Sequence, residues 1–193
     1  MLSKNLLYKE FQKEPEKYWR VPLFEEQGFV RRVCKICGKG FWSIKELKNC
    51  PEHDLYGFIG KPISGVKWDF LKTWREFEKF FEKKDHKSIK RYPVVSKWHP
   101  NLFFTIASIQ DFIRIDASLS FEYPENPLIV PQMCLRFNDI SNVGVTGKHL
   151  TCFMMGGQHS FLDGSKKSYW KEKCMDLNFE FLTKKMKIPK EEI

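Results

Sequence analysis

Four residues in this chain carry the spacing of a metal site. Cys34-x2-Cys37 precedes Cys50-x2-His53, with twelve residues between the pairs. Two intervening residues let both side chains of a pair point inward from one tight turn, so each pair can reach the same ion. Gly38 relieves the backbone after the first pair, and Pro51 stiffens the second. Three thiolates and one imidazole complete a tetrahedral zinc shell. Four protein ligands leave no position for water, so the expected Zn2+ is structural. Metal binding in small zinc modules supplies on the order of 10 kcal/mol of folding free energy. Phe41, Trp42 and Ile44 lie between the pairs and are expected to build a small core around the ion. The other cysteines, Cys134, Cys152 and Cys174, sit inside apolar patterns and read as buried small hydrophobes.

A second constellation begins at Arg136, where an apolar segment ends, and runs through Asn138, Asp139, Asn142, Gly144, Gly147, Lys148 and His149 to Phe153. Arg136 offers a planar, permanently charged fork that suits an α-phosphate. Phe153 offers a flat face on which adenine can stack. Gly144 and Gly147 let the loop bend over a nucleotide. Asp139 can accept from a ribose, an amino group or the arginine itself. Such a hairpin alone is equally a surface arginine beside a core phenylalanine.

The elements that must position these residues follow from periodicity. Residues 1–20 read as an amphipathic helix with Leu6, Leu7, Phe11 and Tyr18 as apolar points, interrupted at Pro15 and Pro22. Residues 30–54 form a compact unit, and Gly57–Gly65 reads as a linker. A long helix is expected next, with Ser64 as its cap and Val66, Phe70, Trp74, Phe77 and Phe81 along one face. Ser88–Val95 is expected to be extended. Asn101–Ile115 reads as a buried strand, or as a helical turn over Ile109–Ile113. Leu128–Arg136 and Thr151–Met155 read as two strands joined by the loop Phe137–His149. Ser168–Lys187 closes as a helix with Trp170, Cys174, Leu177 and Phe181 on one face, ended by Pro189.

Composition narrows the partners. The 193 residues are 42% hydrophobic and 16% aromatic, enough to build a core, so wholesale disorder is excluded. The formal charge of +9 is spread along the chain and suits a polyanion such as RNA or an anionic substrate such as ATP. No run of about 18 apolar residues exists to span a membrane, and the N-terminus lacks a signal-peptide core. A cytoplasmic location is expected, where cysteines are thiols or metal ligands.

The segment RFNDISNVGVTGKHLTCF closely resembles motif 2 of class II aminoacyl-tRNA synthetases in its alanyl form. The start, LFEEQGFVRRVCKICGKGFW, is similar to the zinc-bearing N-terminal extension of archaeal-type alanyl-tRNA synthetases. WREFEKFFEKKDHKSIKRYPVV is similar to motif 1, and LFFTIASIQDF and YWKEKCMDLNFEFLTKKMKIP also match that core. The resemblance covers essentially the whole chain. It implies an α+β fold, in which a zinc unit over residues 1–62 precedes a partial class II antiparallel sheet with flanking helices over 63–193. It implies alanine activation with ATP and Mg2+, then transfer to tRNA(Ala). By the resemblance Arg136 would hold the α-phosphate and Phe153 would stack on adenine. Asp139, Asn142 and His149 would line the ATP side of the loop, and Asn138 and Lys148 its tRNA side. Lys148 stands where an arginine is usual, Ser96 where motif 1 often has proline, and Met154 where a glutamate is usual. No glycine-rich motif 3 occurs before Ile193. A second synthetase subunit carrying motif 3 and the tRNA-recognition and editing parts is therefore expected. The alternative is a truncated, non-catalytic RNA-binding relative.

Overall fold

The computed structural model describes residues 3–53, 63–115, 119–147 and 149–193. Contacts divide the chain into two compact units, Met1–Cys50 and Pro51–Ile193. The expected boundary between 62 and 63 adjoins residues 54–62, and most of the expected linker Gly57–Gly65 lies outside the described residues.

In the first unit, prolines start two of three short helices. Helix α1 (Lys4–Lys13) is capped by Ser3, whose hydroxyl accepts from the Leu6 N–H at 3.3 Å. Helices α2 (Pro15–Trp19) and α3 (Pro22–Gln27) each place proline in the first turn, where its missing N–H costs nothing. Gly28 ends α3 at φ 80°, a left-handed position that glycine adopts freely. Strand β1 (Val30–Val33) then pairs antiparallel with β2 (Gly40–Ser43). Phe24 packs on Trp42 at 4.6 Å and on Phe29 at 5.6 Å between ring centroids.

The second unit is built around one strand. Helix α4 (Phe70–Glu82) leads to β3 (Lys87–Ser88), which pairs parallel with β6 (Leu128–Leu135). Strand β7 (Cys152–His159) pairs antiparallel with β6 along its whole length, giving the order β3-β6-β7. Strands β4 (Ile113–Ile115) and β5 (Leu119–Phe121) form a separate antiparallel pair. Helix α5 (Lys171–Glu180) continues into a π-turn, Phe181–Lys185.

Alternation along β6 explains its continuous apolar start, Leu128-Ile129-Val130. Ile129 faces a cluster with Phe80, Phe81, Leu177 and Phe181 from α4 and the α5 segment. Leu128 and Val130 face Phe112, with Tyr92 and Phe161 packed beside them. A strand buried on both faces needs no polar alternation.

Several expectations are corrected. The long helix starts at Phe70, not Ser64: Asp69 caps it by accepting from the Lys72 N–H at 2.7 Å. Ser64 instead donates to the Met186 carbonyl at 3.0 Å, and Gly65 sits where a Cβ would meet Lys187 Cβ at 2.8 Å. The closing helix begins at Lys171, leaving Trp170 exposed at its edge. Asn101–Ile115 is not one buried strand; the alternative, a helical turn over Ile109–Ile113, is met in part by a turn one residue earlier. Phe103 is exposed, a 3-10 turn spans Ser108–Asp111, and β4 follows. Cys152 is exposed, while Cys134 is buried as expected. The sheet is mixed, because β3 runs parallel to β6. The expected antiparallel hairpin is present, with β7 extending to His159.

Phe81 is fully buried against Phe77, Phe80, His86 and Phe181, whereas Phe70 is exposed. Phe81→Ala is expected to lower stability by about 3–5 kcal/mol in denaturant melts. Phe70→Ala should change it by less than about 1 kcal/mol. Equal losses would place the start of α4 upstream, as the periodicity alone suggested.

Candidate nucleotide site and metal cluster

Arg136 follows directly on β6, and Phe153 is the second residue of β7. Register brings them to the same end of the hairpin: Leu135 pairs with Cys152 and Cys134 with Phe153. The Arg136 N–H donates to the Thr151 carbonyl at 2.9 Å, closing the pairing at the loop mouth. The Arg136 guanidinium lies over the Phe153 ring, 5.0 Å from its centroid. A cation on an aromatic face is held by the ring quadrupole. A cleft of about 280 Å³ opens here, lined by Arg136, Asp139, Val143, His149, Leu150 and Phe153.

The loop between the strands folds on its own hydrogen bonds. A 3-10 turn spans Ile140–Asn142, and Gly144 and Gly147 take φ of 79° and 68°, which β-substituted residues resist. The Asn142 carbonyl accepts from the N–H groups of Val145 and Thr146, both at 3.2 Å. Buried Thr146 meets His149 Nδ1 through its hydroxyl at 2.6 Å, which fixes the imidazole at the cleft wall. Thus Arg136, Asp139, His149 and Phe153 come together. Asn138 and Asn142 are not among the lining residues; what Asn142 contributes is its backbone oxygen. Lys148 lies outside the described residues.

Met154 takes a different place from its neighbour. Along β7 side chains alternate faces. Gly156, two residues on, faces Phe77 of α4. Met154 therefore lies on the helix-covered face, opposite Phe153 and the cleft.

Behind the cleft the buried face of the sheet carries polar groups that composition did not reveal. The fully buried Gln132 substitutes for a missing ladder: its Oε1 accepts from the Tyr92 N–H at 2.8 Å and its Nε2 donates to the Tyr92 carbonyl at 3.1 Å. Strand β3 has ended by then, so a side-chain amide continues the pairing. His159 meets the Ser108 hydroxyl at 2.9 Å, and burial lowers its pKa to about 4, so it is neutral. A Cβ at Gly157 would meet Ser108 Cβ at 2.9 Å, so glycine permits this close approach. Asp111 is also fully buried, and neither carboxylate oxygen has a hydrogen-bond partner among the described residues. Burial raises its pKa to about 7, with the nearby Arg114 charge opposing. Burial likewise raises Cys134 to about 11, and the Asp111 charge adds to that. A polar residue at an inward position of the β6 run was the readable sign for Gln132; nothing in the sequence marked Asp111 as buried.

The cysteine–histidine residues converge as their spacing demands. Ligand atoms of Cys34, Cys37, Cys50 and His53 all lie within 4.8 Å of one another. Cys37 and Cys50 sulfurs are 3.9 Å apart, far beyond a disulfide and close to the edge of a tetrahedron with zinc–sulfur bonds of about 2.3 Å. Burial opposes ionisation of Cys34, but hydrogen bonds from the Cys37, Cys50 and Ile36 backbone outweigh it and bring its pKa to about 6. The donor set fits a zinc ion. Trp42 packs on Phe24 and is only partly buried, so the aromatic core beside the cluster is shared with α3.

Residues 73–193, which include most of α4 and the whole Arg136–Phe153 hairpin, match the family described as tRNA synthetases class II (A). The chain belongs to that family. It is 47% identical over 195 residues to an alanine–tRNA ligase of Cenarchaeum symbiosum, and 46% identical over 196 residues to one of Nitrosopumilus maritimus. Both comparisons cover 100% of this chain and 22% of the relative. An alanine–tRNA ligase of Methanocella arvoryzae is 41% identical over 98% of the chain. The chain thus spans about a fifth of the length of these curated relatives. Among the described residues no helix is long and apolar enough to cross a membrane.

The buried acid gives this synthetase unit a pH signature. Asp111 unfolded titrates near 3.8 and folded near 7. Its raised pKa favours the folded state most at low pH, and that contribution falls away between about pH 4 and 7, then stays lost. The expected loss is on the order of 2–4 kcal/mol. Asp111→Asn should flatten this slope in denaturant melts run from pH 4 to 8, and should melt later than wild type at pH 8. A wild-type slope retained in the variant would place the raised pKa elsewhere.

Proposed function

We propose that this chain carries the ATP-gripping part of an alanine–tRNA ligase, with its zinc unit in residues 1–62 and a partial catalytic core in 63–193. The observation that carries the reading is the juxtaposition of Arg136 and Phe153 across one cleft, in a chain that aligns from end to end with alanine–tRNA ligases. Arg136 would meet the α-phosphate of ATP, where charge builds as the alanine carboxylate attacks phosphorus and pyrophosphate leaves. Phe153 would stack on adenine, exchanging the guanidinium contact for a base as the arginine turns to the phosphate. Asp139 and His149 would orient ribose and amino groups at the cleft wall. Asn142 would shape the ATP side of the loop through its carbonyl, and Asn138 and Lys148 would face the tRNA(Ala) acceptor end in this reading. The product, alanyl-adenylate, would then pass its alanine to the tRNA.

Mg2+ would come with ATP and screen its phosphates. Zn2+ would sit on Cys34, Cys37, Cys50 and His53, where a closed four-ligand shell holds residues 34–53 together rather than acting on substrate. A partner or further region would supply a second cation for the phosphates and the rest of the alanine pocket. The position of β7 supports this: among the described residues it pairs with β6 alone, and a strand at a sheet edge is a place for further pairing. Met154 on the helix-covered face weakens the non-catalytic reading, since the glutamate it replaces would not have pointed into this cleft.

Alanine-dependent ATP–pyrophosphate exchange tests the reading. Activity is expected when the chain is combined with the region that follows it in its relatives, and Arg136→Ala should lower that activity by about 100-fold or more. Unchanged exchange in the variant refutes the arginine's role, and no exchange in any combination refutes the ligase.

Zinc analysis of protein purified without chelator should give one equivalent per chain. Cys37→Ser should lower that number and the melting temperature together. Full zinc retention in the variant would remove Cys37 from the ligand set.

A further inference from the structure

An arginine that must meet a phosphate is useful only if its fork is aimed before the substrate arrives. Arg136 is exposed, and a long exposed side chain loses rotamer entropy when it is held. Beside the Phe153 ring, one side-chain hydrogen bond among the described residues aims it: Nε donates to the Ile106 carbonyl at 2.9 Å. That carbonyl is itself held from behind. Gln110 Oε1 accepts from the Ile106 N–H at 2.9 Å and from the Ala107 N–H at 3.3 Å. The Ala107 N–H and the Ile106 carbonyl belong to one planar trans peptide and point in opposite directions. Gripping the N–H end therefore fixes where the oxygen end points. Gln110 is anchored in turn, since its N–H donates to the Ala107 carbonyl at 3.1 Å and its own carbonyl accepts from Trp98 Nε1 at 2.9 Å. Upstream of this peptide, the Leu135 N–H donates to the Thr105 carbonyl at 3.0 Å, which keeps residues 105–106 alongside 135–136.

We propose that Gln110 is a positioning residue for Arg136, acting through the Ile106–Ala107 peptide. Gln110 touches no substrate in this scheme; it sets the direction of the guanidinium. Its link to catalysis rests on the reading of Arg136 as the phosphate contact, but the positioning itself does not.

Two measurements separate these layers. The Arg136 Nε–H resonance, identified in nitrogen-15 spectra by its loss in Arg136→Lys, reports the aim directly in this chain without nucleotide. Gln110→Met keeps side-chain volume and removes the acceptor oxygen; it should speed exchange of that proton with water by about 10-fold, the cost of roughly one hydrogen bond. Gln110→Glu retains an acceptor oxygen and should keep the proton protected, a rescue that mere loosening of the fold does not predict. In the exchange-active preparation, Gln110→Met should lower the pyrophosphate-exchange kcat by about 10-fold, with little further loss when added to Arg136→Ala. Unchanged proton exchange in Gln110→Met overturns the positioning role, and so does equal loss of protection in Gln110→Glu. A loosened proton with wild-type pyrophosphate exchange overturns its importance to catalysis. Wild-type pyrophosphate exchange in Arg136→Ala would instead sink the phosphate reading, with the proton measurement still deciding the role of Gln110.

Discussion

Strand β6 is buried on both faces, and the larger unit is organised by that constraint. Ile129 needs cover on one side, which the phenylalanines of α4 and the α5 segment provide. Leu128 and Val130 need cover on the other, which Phe112 and its neighbours provide. Neither layer can shift without exposing the strand to water, because each covers side chains that alternate along one backbone. Strand β7 is locked to β6 over eight paired positions, so the hairpin that follows inherits its direction from the core. Arg136 is where the chain leaves that core, and the cleft begins there because the burial ends.

A strand wrapped so completely must satisfy its own polar groups. Gln132 does this for the stretch beyond β3 by pairing both ends of its amide with Tyr92. On the helix side, Tyr169 meets His86 and Gln158, and Asn178 donates to Gln158, so β7, α5 and the turn between α4 and β3 share one hydrogen-bonded network. Burial raises Tyr169 to about 12 and lowers His86, which keeps both neutral around neutral pH. Asp111 is an exception: it is fully buried with no partner for its carboxylate among the described residues. An unpaired buried charge is costly, and the acid avoids that cost by holding its proton to about pH 7.

The cleft and the metal cluster are built by different means. The cluster is local, since residues 34–53 bring four ligand atoms together through two turns and one short hairpin. The cleft's lining also lies within one stretch, Arg136–Phe153, but its arginine is held from a distant segment: the Ile106 carbonyl, thirty residues earlier, accepts from Arg136 Nε, and β7 supplies the ring beneath it. A chain that covers a fifth of its relatives' length nonetheless holds this arginine in place, because the Thr151 and Ile106 carbonyls and the Phe153 ring that brace it all lie within the chain.

The sequence by itself determined what chemistry spacing can encode. A Cys–Cys pair and a Cys–His pair announced the cysteine–histidine cluster, and the Arg136–Phe153 segment announced the hairpin and the family. Both signals are local, so few contacts are needed to realise them. The apolar segment Leu128–Arg136 announced a strand, and its burial on both faces came from the packing. Periodicity failed where tertiary contacts outrank it. Val66 and Phe70 fit the helical spacing, yet Asp69 offers a better cap and Ser64–Gly65 are drawn to Met186 and Lys187. Asn101–Ile115 read as one apolar, partly β-branched segment, but its groups divide between solvent, the Gln110 turn and β4. Only the tertiary structure decided that Met154 faces away from the cleft, that the Asp111 carboxylate is buried without a partner among the described residues, and that Gln110 stands behind Arg136. Each of these depends on which face of a strand or turn meets another segment, and that is settled by long-range packing rather than by any neighbour in sequence.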